Sequence, residues 1–557
     1  MVTSISTGTN PIIHSDFPDP CIIRVDDTYY MASTTMHFFP GCSILRSYDL
    51  VNWEFVSHVY EELDGTDAQN LQGATIYGQG MWAPSFVYHE GVYHLLFSAN
   101  DTKKTYLFHS RQPEGPWTKT HIEGFFHDAS LFFDQGKAYL IYGNHSIYLI
   151  ELKPDLSAPI EHAIPRLIVQ DEPGIRLGFE GAHMLKYMDS YYLFLINWPS
   201  GEQGKRNAWC FISNSLEGPY HGSCIVDDDL DYPNQGIAQG AMIDTTEGEW
   251  YLYLFQDRGA LGRVPILIPM EFVLLKNIDG LKPGVDSSTS HSVLSEVTNS
   301  VDLCYPQIKG KQVRQHVSVI TKHLEHPYAP LNGDGFLDAN GRLQPYWQFN
   351  HQPDPDSYRF DSTDEVYEIT TKNVSPTLIH ARNTLTQRTV GPSCQAFVTL
   401  DATSIQEGDY MGLATLQGCY AAISITKEQG EYYLIMMSRS FEGMGTMGQV
   451  YDTEAPQIVE KIKLELPQIR VSSYCSFAPG EDWCEFTYEK DGIFHKLGEK
   501  HKLFFKLDHF VGCRFALFYY STQYIGGRAR FEDFVFDPSI ISHKIHDLVK
   551  SNKENNS

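Results

Sequence analysis

Long apolar runs are missing from this chain of 557 residues. No stretch approaches the roughly 18 apolar residues that a membrane-spanning helix needs. Met1 to Pro11 contains neither a basic n-region nor an apolar h-region, so no secretory signal is expected. The ten cysteines show no CxxC pair and no regular spacing, which is ordinary for a reducing compartment. The sequence therefore predicts no membrane span and a cytoplasmic location.

Positive charge is also scarce. The chain has 42 Lys and Arg against 69 Asp and Glu, which gives a formal net charge of -27. Such a chain repels nucleic acid and anionic membrane surfaces. We therefore expect no nucleic-acid or membrane partner, and a neutral substrate fits this charge better.

The signature motifs of several large enzyme classes are absent. There is no GxSxG nucleophile elbow, no P-loop and no HExxH zinc motif. The stretch GMGTMG at 443–448 formally matches GxGxxG. It lies among predicted strands with no helix pattern after it, so we interpret it as a loop rather than a phosphate site.

A repeated strand–turn–strand pattern is present instead. Aromatic residues make up 13% of the chain, a composition that favours β structure when turns are frequent. Five segments open on a small or acidic residue, continue as an apolar strand, turn at Asp or Gly, and resume as an aromatic-rich strand. They are DPCIIRVDDTYYMAS from Asp19, APSFVYHEGVYHLLFS from Ala83, DASLFFDQGKAYLIYG from Asp128, GAHMLKYMDSYYLFLIN from Gly181 and GAMIDTTEGEWYLYLFQ from Gly240.

The spacing of the copies predicts their architecture. They align without gaps over twelve positions, and their starts lie 64, 45, 53 and 59 residues apart. This suits one four-stranded blade per copy. We predict an all-β chain with a five-bladed β-propeller over residues 1–290.

Three carboxylates start or precede the repeats. Asp19 and Asp128 share one register, and Glu180 lies one residue earlier in its copy. If the opening strands surround the axis, these groups converge, although Glu180 needs a local bend because strand side chains alternate faces. Clustered carboxyls raise one another's pKa, which provides the protonated acid and ionised base that glycoside hydrolysis requires. A structural role as loop caps or ion-pair partners stays open.

The chain resembles glycoside hydrolase family 43, in particular its branch of β-xylosidases and α-L-arabinofuranosidases with a C-terminal β-sandwich. The matching stretches include NPIIHSDFPDPCIIRVDDTYYMAS, MWAPSFVYHEGVYHLLFS, FHDASLFFDQGKAYLIYG, FEGAHMLKYMDSYYLF, IAQGAMIDTTEGEWYLYLFQDRGALGRVP, YWQFNHQPDPDSYRF, RNTLTQRTVGPSC and GDYMGLATLQGCYAAI.

The resemblance implies a role for each matched residue. Asp19 matches the general base, Glu180 the general acid, and Asp128 the third carboxylate, which tunes and orients the acid. Trp82 looks like a wall of the sugar pocket, and Arg263 like the arginine that binds sugar hydroxyls. Family members invert the anomeric centre, which requires roughly 6.5–9.5 Å between base and acid.

Several positions depart from the family pattern. Ser85 replaces a common Asp, and Met36 stands where many xylosidases have an aromatic, ahead of Phe39. Gln239 stands where some members have a His tied to a divalent cation on the axis. We expect Met36, Phe39 and Gln239 to contribute to substrate binding and no cofactor to be required; a cation on the axis stays open but is disfavoured by Gln239. The choice between xylose and arabinose also stays open.

The second half reads differently. We predict a linker over 291–325, a β-sandwich over 326–540 and a flexible tail over 541–557. In relatives the sandwich can lend a loop to the pocket, and residues 519–527 are our candidate. An independent carbohydrate-binding module is the alternative.

The function implied is an exo-acting glycoside hydrolase that releases terminal xylose, and by extension α-L-arabinofuranose, from neutral xylo-oligosaccharides. The alternatives are arabinofuranosidase as the main activity, a propeller that binds glycans without cleaving them, and a fructan hydrolase. The FPDP and FEGAH motifs of this chain do not resemble those of fructan hydrolases. A homo-oligomer is left open.

Overall fold

A computed structural model describes residues 4–172, 175–200, 204–274, 281–285, 304–323, 325–361, 365–450 and 454–538. Regular structure in these ranges consists of β-strands, numbered β1 to β38 in chain order, and short 3-10 turns at Gly259–Leu261, Pro355–Ser357 and Leu378–His380. Within them, no helix has the length and apolarity needed to cross a membrane. The predicted all-β class is confirmed.

The first half forms five antiparallel blades, one for each sequence copy. Strand β1 (Ser4–Thr9) precedes them. Blades one to three contain β2 (Cys21–Val25), β3 (Thr28–Ser33), β5 (Gly41–Ser47), β6 (Glu54–Tyr60), β7 (Ser85–His89), β8 (Val92–Ala99), β9 (Lys104–Ser110), β10 (Thr118–Ile122), β11 (Ser130–Asp134), β12 (Lys137–Asn144), β13 (Ser146–Glu151) and β14 (Arg166–Gln170). Strand β4 (Phe38–Phe39) lies between β3 and β5 in the chain but belongs to a sheet of the second half. Blades four and five contain β15 (Leu177–Tyr187), β16 (Ser190–Trp198), β17 (Asn207–Ser213), β18 (His221–Val226), β19 (Ile237–Asp244), β20 (Trp250–Asp257), β21 (Arg263–Leu274), β22 (Lys282–Pro283) and β23 (Cys304–Ile308).

The first strand of each blade faces the axis. Strands β2, β7, β11, β15 and β19 contact one another in this cyclic order, and β19 contacts β2. The N-terminal segment ties the ring, because the Asn10 side chain accepts from the Leu267 amide (2.9 Å) and donates to the Leu267 carbonyl (2.8 Å) of blade five. The predicted five-bladed propeller is confirmed.

The hairpin turns explain the repeated sequence scheme. Three of the five turns place two successive residues in the left-handed region, at 90–91, 135–136 and 188–189. Two-residue turns of this kind match the twist of the flanking strands and favour Gly, Asn and Asp. The local turn chemistry therefore sets the strand register that the five copies share.

The segment predicted as a linker contributes strands to the propeller. Strand β23 is the fourth strand of blade five and pairs with β21, while β24 (His316–Thr321) pairs with β1. The propeller therefore extends beyond the predicted boundary at 290. The sequence did not indicate this strand because β23, with sequence CYPQI, is short, contains a proline and follows a Ser/Thr-rich run. Residues 286–303 and the predicted tail 541–557 lie outside the described residues.

The second half is a two-sheet sandwich. Its strands are β25 (Gln348–Asn350), β26 (Tyr358–Asp361), β27 (Val366–Thr370), β28 (Leu385–Arg388), β29 (Ser393–Asp401), β30 (Asp409–Leu416), β31 (Tyr420–Glu428), β32 (Glu431–Arg439), β33 (Gln457–Leu464), β34 (Gln468–Ser476), β35 (Trp483–Lys490), β36 (Ile493–Lys502), β37 (Arg514–Ser521) and β38 (Arg528–Asp537). One sheet has the order β33-β32-β31-β30-β37-β28-β25-β4, and the other β26-β27-β38-β29-β34-β35-β36. Their inner faces enclose one apolar core that includes Trp347, Leu413 and Phe531.

The two domains share a sheet. Strand β4 belongs to the first propeller repeat, yet it pairs with β25 of the sandwich, with Phe39 opposite Phe349. Arg388 of the sandwich is buried against the propeller, donates to the Asp16 carbonyl (2.8 Å) and lies 4.2 Å from the Phe17 ring centroid. These contacts fix the sandwich over the face of the propeller on which the blades begin.

Candidate active site

Left-handed backbone places the carboxylates at the start of the inner strands. Asp19 has φ 50° and Asp128 has φ 45°, in the same register of blades one and three. Asp tolerates this conformation better than most residues because its short side chain bonds locally. Both side chains are almost fully buried, and Asp128 lies close enough to Asp19 and Glu180 for both charges to raise its pKa. The structure therefore brings the three predicted carboxylates together.

The bend that Glu180 requires lies within β15. The pairing of β15 with β16 shifts register on both sides of Glu180, and Gly181 has φ 64°. A Cβ atom at Gly181 would lie 2.7 Å from Cδ of Gln239 on the neighbouring blade. Glycine at this position therefore permits both the turn of the backbone and the close approach of blade five.

Gly181→Ala should destabilise the propeller by about 1–3 kcal/mol, because alanine pays for the left-handed backbone and also collides with Gln239. Denaturant unfolding measures this cost. The matched control is Gly136→Ala, whose φ of 74° is similar but whose Cβ would meet nothing within 4 Å. Equal losses in the two variants would show that the Gln239 contact contributes nothing.

Asp19 is held by two donors. Arg263 Nη1 donates to its Oδ1 (2.7 Å), and Thr34 Oγ1 donates to its Oδ2 (2.7 Å). Burial raises the pKa of Asp19, and the Arg263 charge and the Thr34 hydrogen bond oppose this rise. These two contacts favour the ionised carboxylate that a general base needs.

Asp128 has the opposite tendency. Burial, reinforced by the Glu180 and Asp19 charges, raises the pKa of Asp128 to about 7, although His127 and Arg263 oppose the rise. A carboxyl group in this state keeps or releases a proton near neutral pH. It therefore adjusts the charge beside Glu180, in keeping with the role that the resemblance implies.

Glu180 receives its described hydrogen bonds at one oxygen. His127 Nε2 lies 3.0 Å from Oε2, and the Asn144 side-chain amide donates to the same atom. Among the described residues, both contacts fall on Oε2 and neither falls on Oε1. His127 and Asn144 thus fix the orientation of the Glu180 carboxyl group, for which the resemblance implies the role of general acid.

His127 is a site residue to which no sequence motif assigned a role. Its Nε2 lies 3.8 Å from Asp128 Oδ2 as well as 3.0 Å from Glu180. Burial lowers the pKa of His127, but the Asp128 and Glu180 carboxylates outweigh it and raise the pKa to about 9. Its position directly before Asp128 was the available signal.

His127→Gln should remove stability only where the imidazole is charged. The folded pKa of about 9 exceeds the ordinary value of 6.5, so the contribution is complete below pH 6.5 and is lost as the pH rises through about 9. The Tm difference between wild type and variant should be several degrees near pH 6 and shrink towards about pH 9.5. The control is exposed His121→Gln. A Tm difference that does not change with pH would contradict a charged His127 imidazole in the folded protein.

Trp82 and the sandwich form the pocket walls. The Trp82 ring lies 5.6 Å from the His127 ring and 6.1 Å from that of Phe510, between ring centroids. Phe510 also lies 4.7 Å from the Arg263 guanidinium. The sandwich therefore reaches the site through the loop before β37, not through the predicted stretch 519–527, where Tyr519 is buried beside Asp409 in the sandwich.

Arg263 has donors to spare. Besides the Asp19 contact, its Nε and Nη2 are buried and make no hydrogen bond among the described residues. The resemblance implies that this arginine binds sugar hydroxyls, and Nη2 is available for such a contact. The ion pair with Asp19 is an additional role that the sequence did not indicate.

Met36 and Phe39 lie on different sides of one short segment. Met36 is buried in a small cluster with Phe38, Trp82 and Phe510, so it supports the pocket wall. Phe39 instead packs in the propeller core, 5.8 Å from Tyr60 between ring centroids. Because side chains alternate along a strand, Phe38 and not Phe39 faces the Met36 cluster.

Gln239 occupies the axis beside Glu180. It is buried, has φ 47° and packs against Gly181. An amide stands where the resemblance would place the imidazole of a cation site, so the donor set lacks that nitrogen ligand and we derive no step through a cation. In the described part of the chain, the side-chain N and O atoms of His127, Asp128 and Glu180 lie within 4.8 Å of one another. His127 and Glu180 are joined by a hydrogen bond of 3.0 Å.

The arrangement is suited to acid–base chemistry across the axis. One buried carboxylate is paired with an arginine, and another lies beside an imidazole and a group that titrates near neutrality. The two carboxyls therefore have unequal surroundings, and unequal surroundings are how an enzyme obtains an acid and a base from two carboxyls.

Two family models match the chain. Residues 8–273 match glycosyl hydrolases family 43, and residues 335–537 match the β-xylosidase C-terminal concanavalin A-like domain. The two matches correspond to the propeller and the sandwich.

Individual relatives agree with these matches. A β-xylosidase of Formosa agariphila is 27% identical over 300 residues, covering 48% of this chain and 50% of the relative. A non-reducing end α-L-arabinofuranosidase of Bacteroides ovatus is 26% identical over 280 residues, covering 47% and 51%. A solved structure described as bifunctional GH43-CE, from Bacteroides eggerthii, is 34% identical with a TM-score of 0.82, covering 97% of this chain and 64% of that one. The chain thus spans about half the length of these two curated relatives.

Proposed function

Because the chain belongs to glycosyl hydrolase family 43, we propose that it is an exo-acting glycoside hydrolase that releases terminal xylose from xylo-oligosaccharides. We include α-L-arabinofuranose as a second leaving sugar. The observation that carries this proposal is the unequal setting of two carboxyls: Asp19 is ion-paired with Arg263 at 2.7 Å, and Glu180 is held at Oε2 by His127 and Asn144.

The proposed reaction is a single displacement. Asp19 takes a proton from water as the water oxygen bonds to the anomeric carbon. The glycosidic C–O bond breaks, and Glu180 delivers its proton to the leaving oxygen. Asp128 and His127 adjust and orient Glu180. The product inverts because water attacks from the face opposite the leaving group.

An exo mode is supported by the pocket cover. Phe510 of the sandwich lies over Arg263 and near Trp82, so aromatic rings border the site on two sides. A pocket closed in this way accepts a chain end more readily than a chain interior. We therefore propose removal of single terminal sugars.

Proton NMR of the purified protein with 1,4-β-xylobiose tests the proposal. Early appearance of α-xylose establishes both xylosidase activity and inversion. No turnover of xylobiose but release of arabinose from α-L-arabinofuranosides would favour arabinofuranosidase as the main activity. Binding without release of any sugar would favour the glycan-binding alternative.

The expected setting is the cytoplasm, with a neutral oligosaccharide as partner and no nucleic acid or membrane. Eight of the ten cysteines are buried free thiols, which supports a reducing compartment. Cell fractionation with an antibody to the chain tests the location.

A further inference from the structure

A cavity of about 390 Å³ lies where blade five meets the sandwich. Its volume is within the range of about 300–1,000 Å³ that is typical of small-molecule sites. Both domains line it. The propeller contributes Tyr232 and Gln235, and the sandwich contributes Asp482, Lys502, Phe504 and Phe505.

Hydrogen bonds and close packing between the two domains form one wall of this cavity. The Ala260 amide donates to Asp482 Oδ2 (2.6 Å), and the Leu503 amide donates to the Asp482 carbonyl (2.8 Å). Gly259 has φ 54°, and a Cβ atom there would lie 2.4 Å from Asp482 Oδ2. Any side chain at Gly259 would displace the carboxylate, so the local sequence suits this close approach.

The cavity is next to the carboxylate site but separated from it. Phe505 lines the cavity, and its ring lies 5.9 Å from that of Phe510, which covers Arg263. Ala260 borders the cavity, and three residues later Arg263 reaches Asp19. Arg263 and Phe510 therefore stand between the two spaces, on the same face of the propeller.

The lining matches a neutral sugar. Phe504 and Phe505 are partly exposed rings, and the C–H faces of a sugar pack well against aromatic surfaces. Asp482 Oδ1 is buried and makes no hydrogen bond among the described residues. Burial raises the pKa of Asp482 to about 6, although the Ala260 and Ala478 amides oppose the rise. Lys502 supplies donors of opposite charge. Because Asp482 and Lys502 carry opposite charges, the cavity has no net preference for an anion or a cation.

We propose that this cavity is a second sugar-binding site, which holds a distal pentose unit of the oligosaccharide whose terminal unit lies in the carboxylate pocket. The choice of pentose rests on the proposed function. In this proposal the remainder of the oligosaccharide would pass Phe510 along the seam between the domains.

Phe504→Ala tests this site. It should lower kcat/KM for xylotetraose by about tenfold and leave kcat/KM for xylobiose unchanged, because only the longer chain reaches the cavity. The matched control is Phe494→Ala, which removes a 39% exposed ring from strand β36 outside the cavity lining. An equal loss on both substrates, or no loss on either, would overturn the proposal.

Calorimetry separates this inference from the proposed function. If the wild type cleaves neither substrate, the proposed function has failed, and xylotetraose is then titrated into the wild type and Phe504→Ala. Binding that weakens about tenfold in the variant supports the cavity as a sugar site. Equal binding by the two proteins, or binding by neither, overturns it.

Discussion

Asp19→Asn should lower kcat on xylobiose by about 10²–10⁴-fold while the fold survives. The amide keeps the shape of the side chain, its oxygen can accept from Arg263 and its NH2 group can donate to the Thr34 hydroxyl, but it cannot take a proton from water. Rates measured by xylose release, together with the thermal unfolding curve, check this result.

The matched control for this variant is Asp26→Asn. Asp26 is exposed, directly follows β2 at the end opposite Asp19 and has a similar φ of 55°. The substitution therefore makes the same chemical change beside the same strand but away from the axis. Near-normal turnover in Asp19→Asn would rule out Asp19 as the base. An equal loss in both variants would point to damage to blade one.

Glu180→Gln should lower kcat/KM on xylobiose by about 10²–10⁴-fold but reduce hydrolysis of a dinitrophenyl xyloside far less. A sugar leaving group needs a proton, whereas a dinitrophenolate departs without one. The ratio of the two effects, measured in one buffer, identifies the loss as that of an acid.

The exposed Glu90→Gln is the control for Glu180 and should leave both substrates unaffected. A uniform loss on the two substrates in Glu180→Gln would indicate that Glu180 positions the sugar and does not donate a proton. In that case His127, whose Nε2 is 3.0 Å from Glu180, becomes the next candidate donor.

The features that could be predicted from the sequence depend on short-range rules. The gapless repeat fixed the number of blades because turn chemistry and the two-residue period of strands act within each copy. The same rules placed Asp19 and Asp128 in one register. They also showed that Glu180 lies out of register with the two Asp residues. The need for a bend could therefore be predicted from the sequence, although the geometry of the bend could not.

The features that were missed depend on contacts between distant parts of the chain. Phe510 meets Trp82 and Arg263 only because the sandwich packs over the propeller. Phe38 and Phe39 are adjacent and chemically identical, and only the pairing of β4 with β25 decides which one faces the pocket. The fourth strand of blade five was not predicted because it is only five residues long and contains a proline.

The shared sheet also bears on how this enzyme could have diversified. A domain joined only by a tether can be exchanged as a cassette, with its specificity carried along. Here one strand of the propeller repeat completes the sheet of its neighbour, and both domains supply atoms to the pocket and to the adjoining cavity. Recombination at the propeller boundary would therefore leave an unpaired sheet edge and an open pocket, so neither half can be exchanged without disrupting the other.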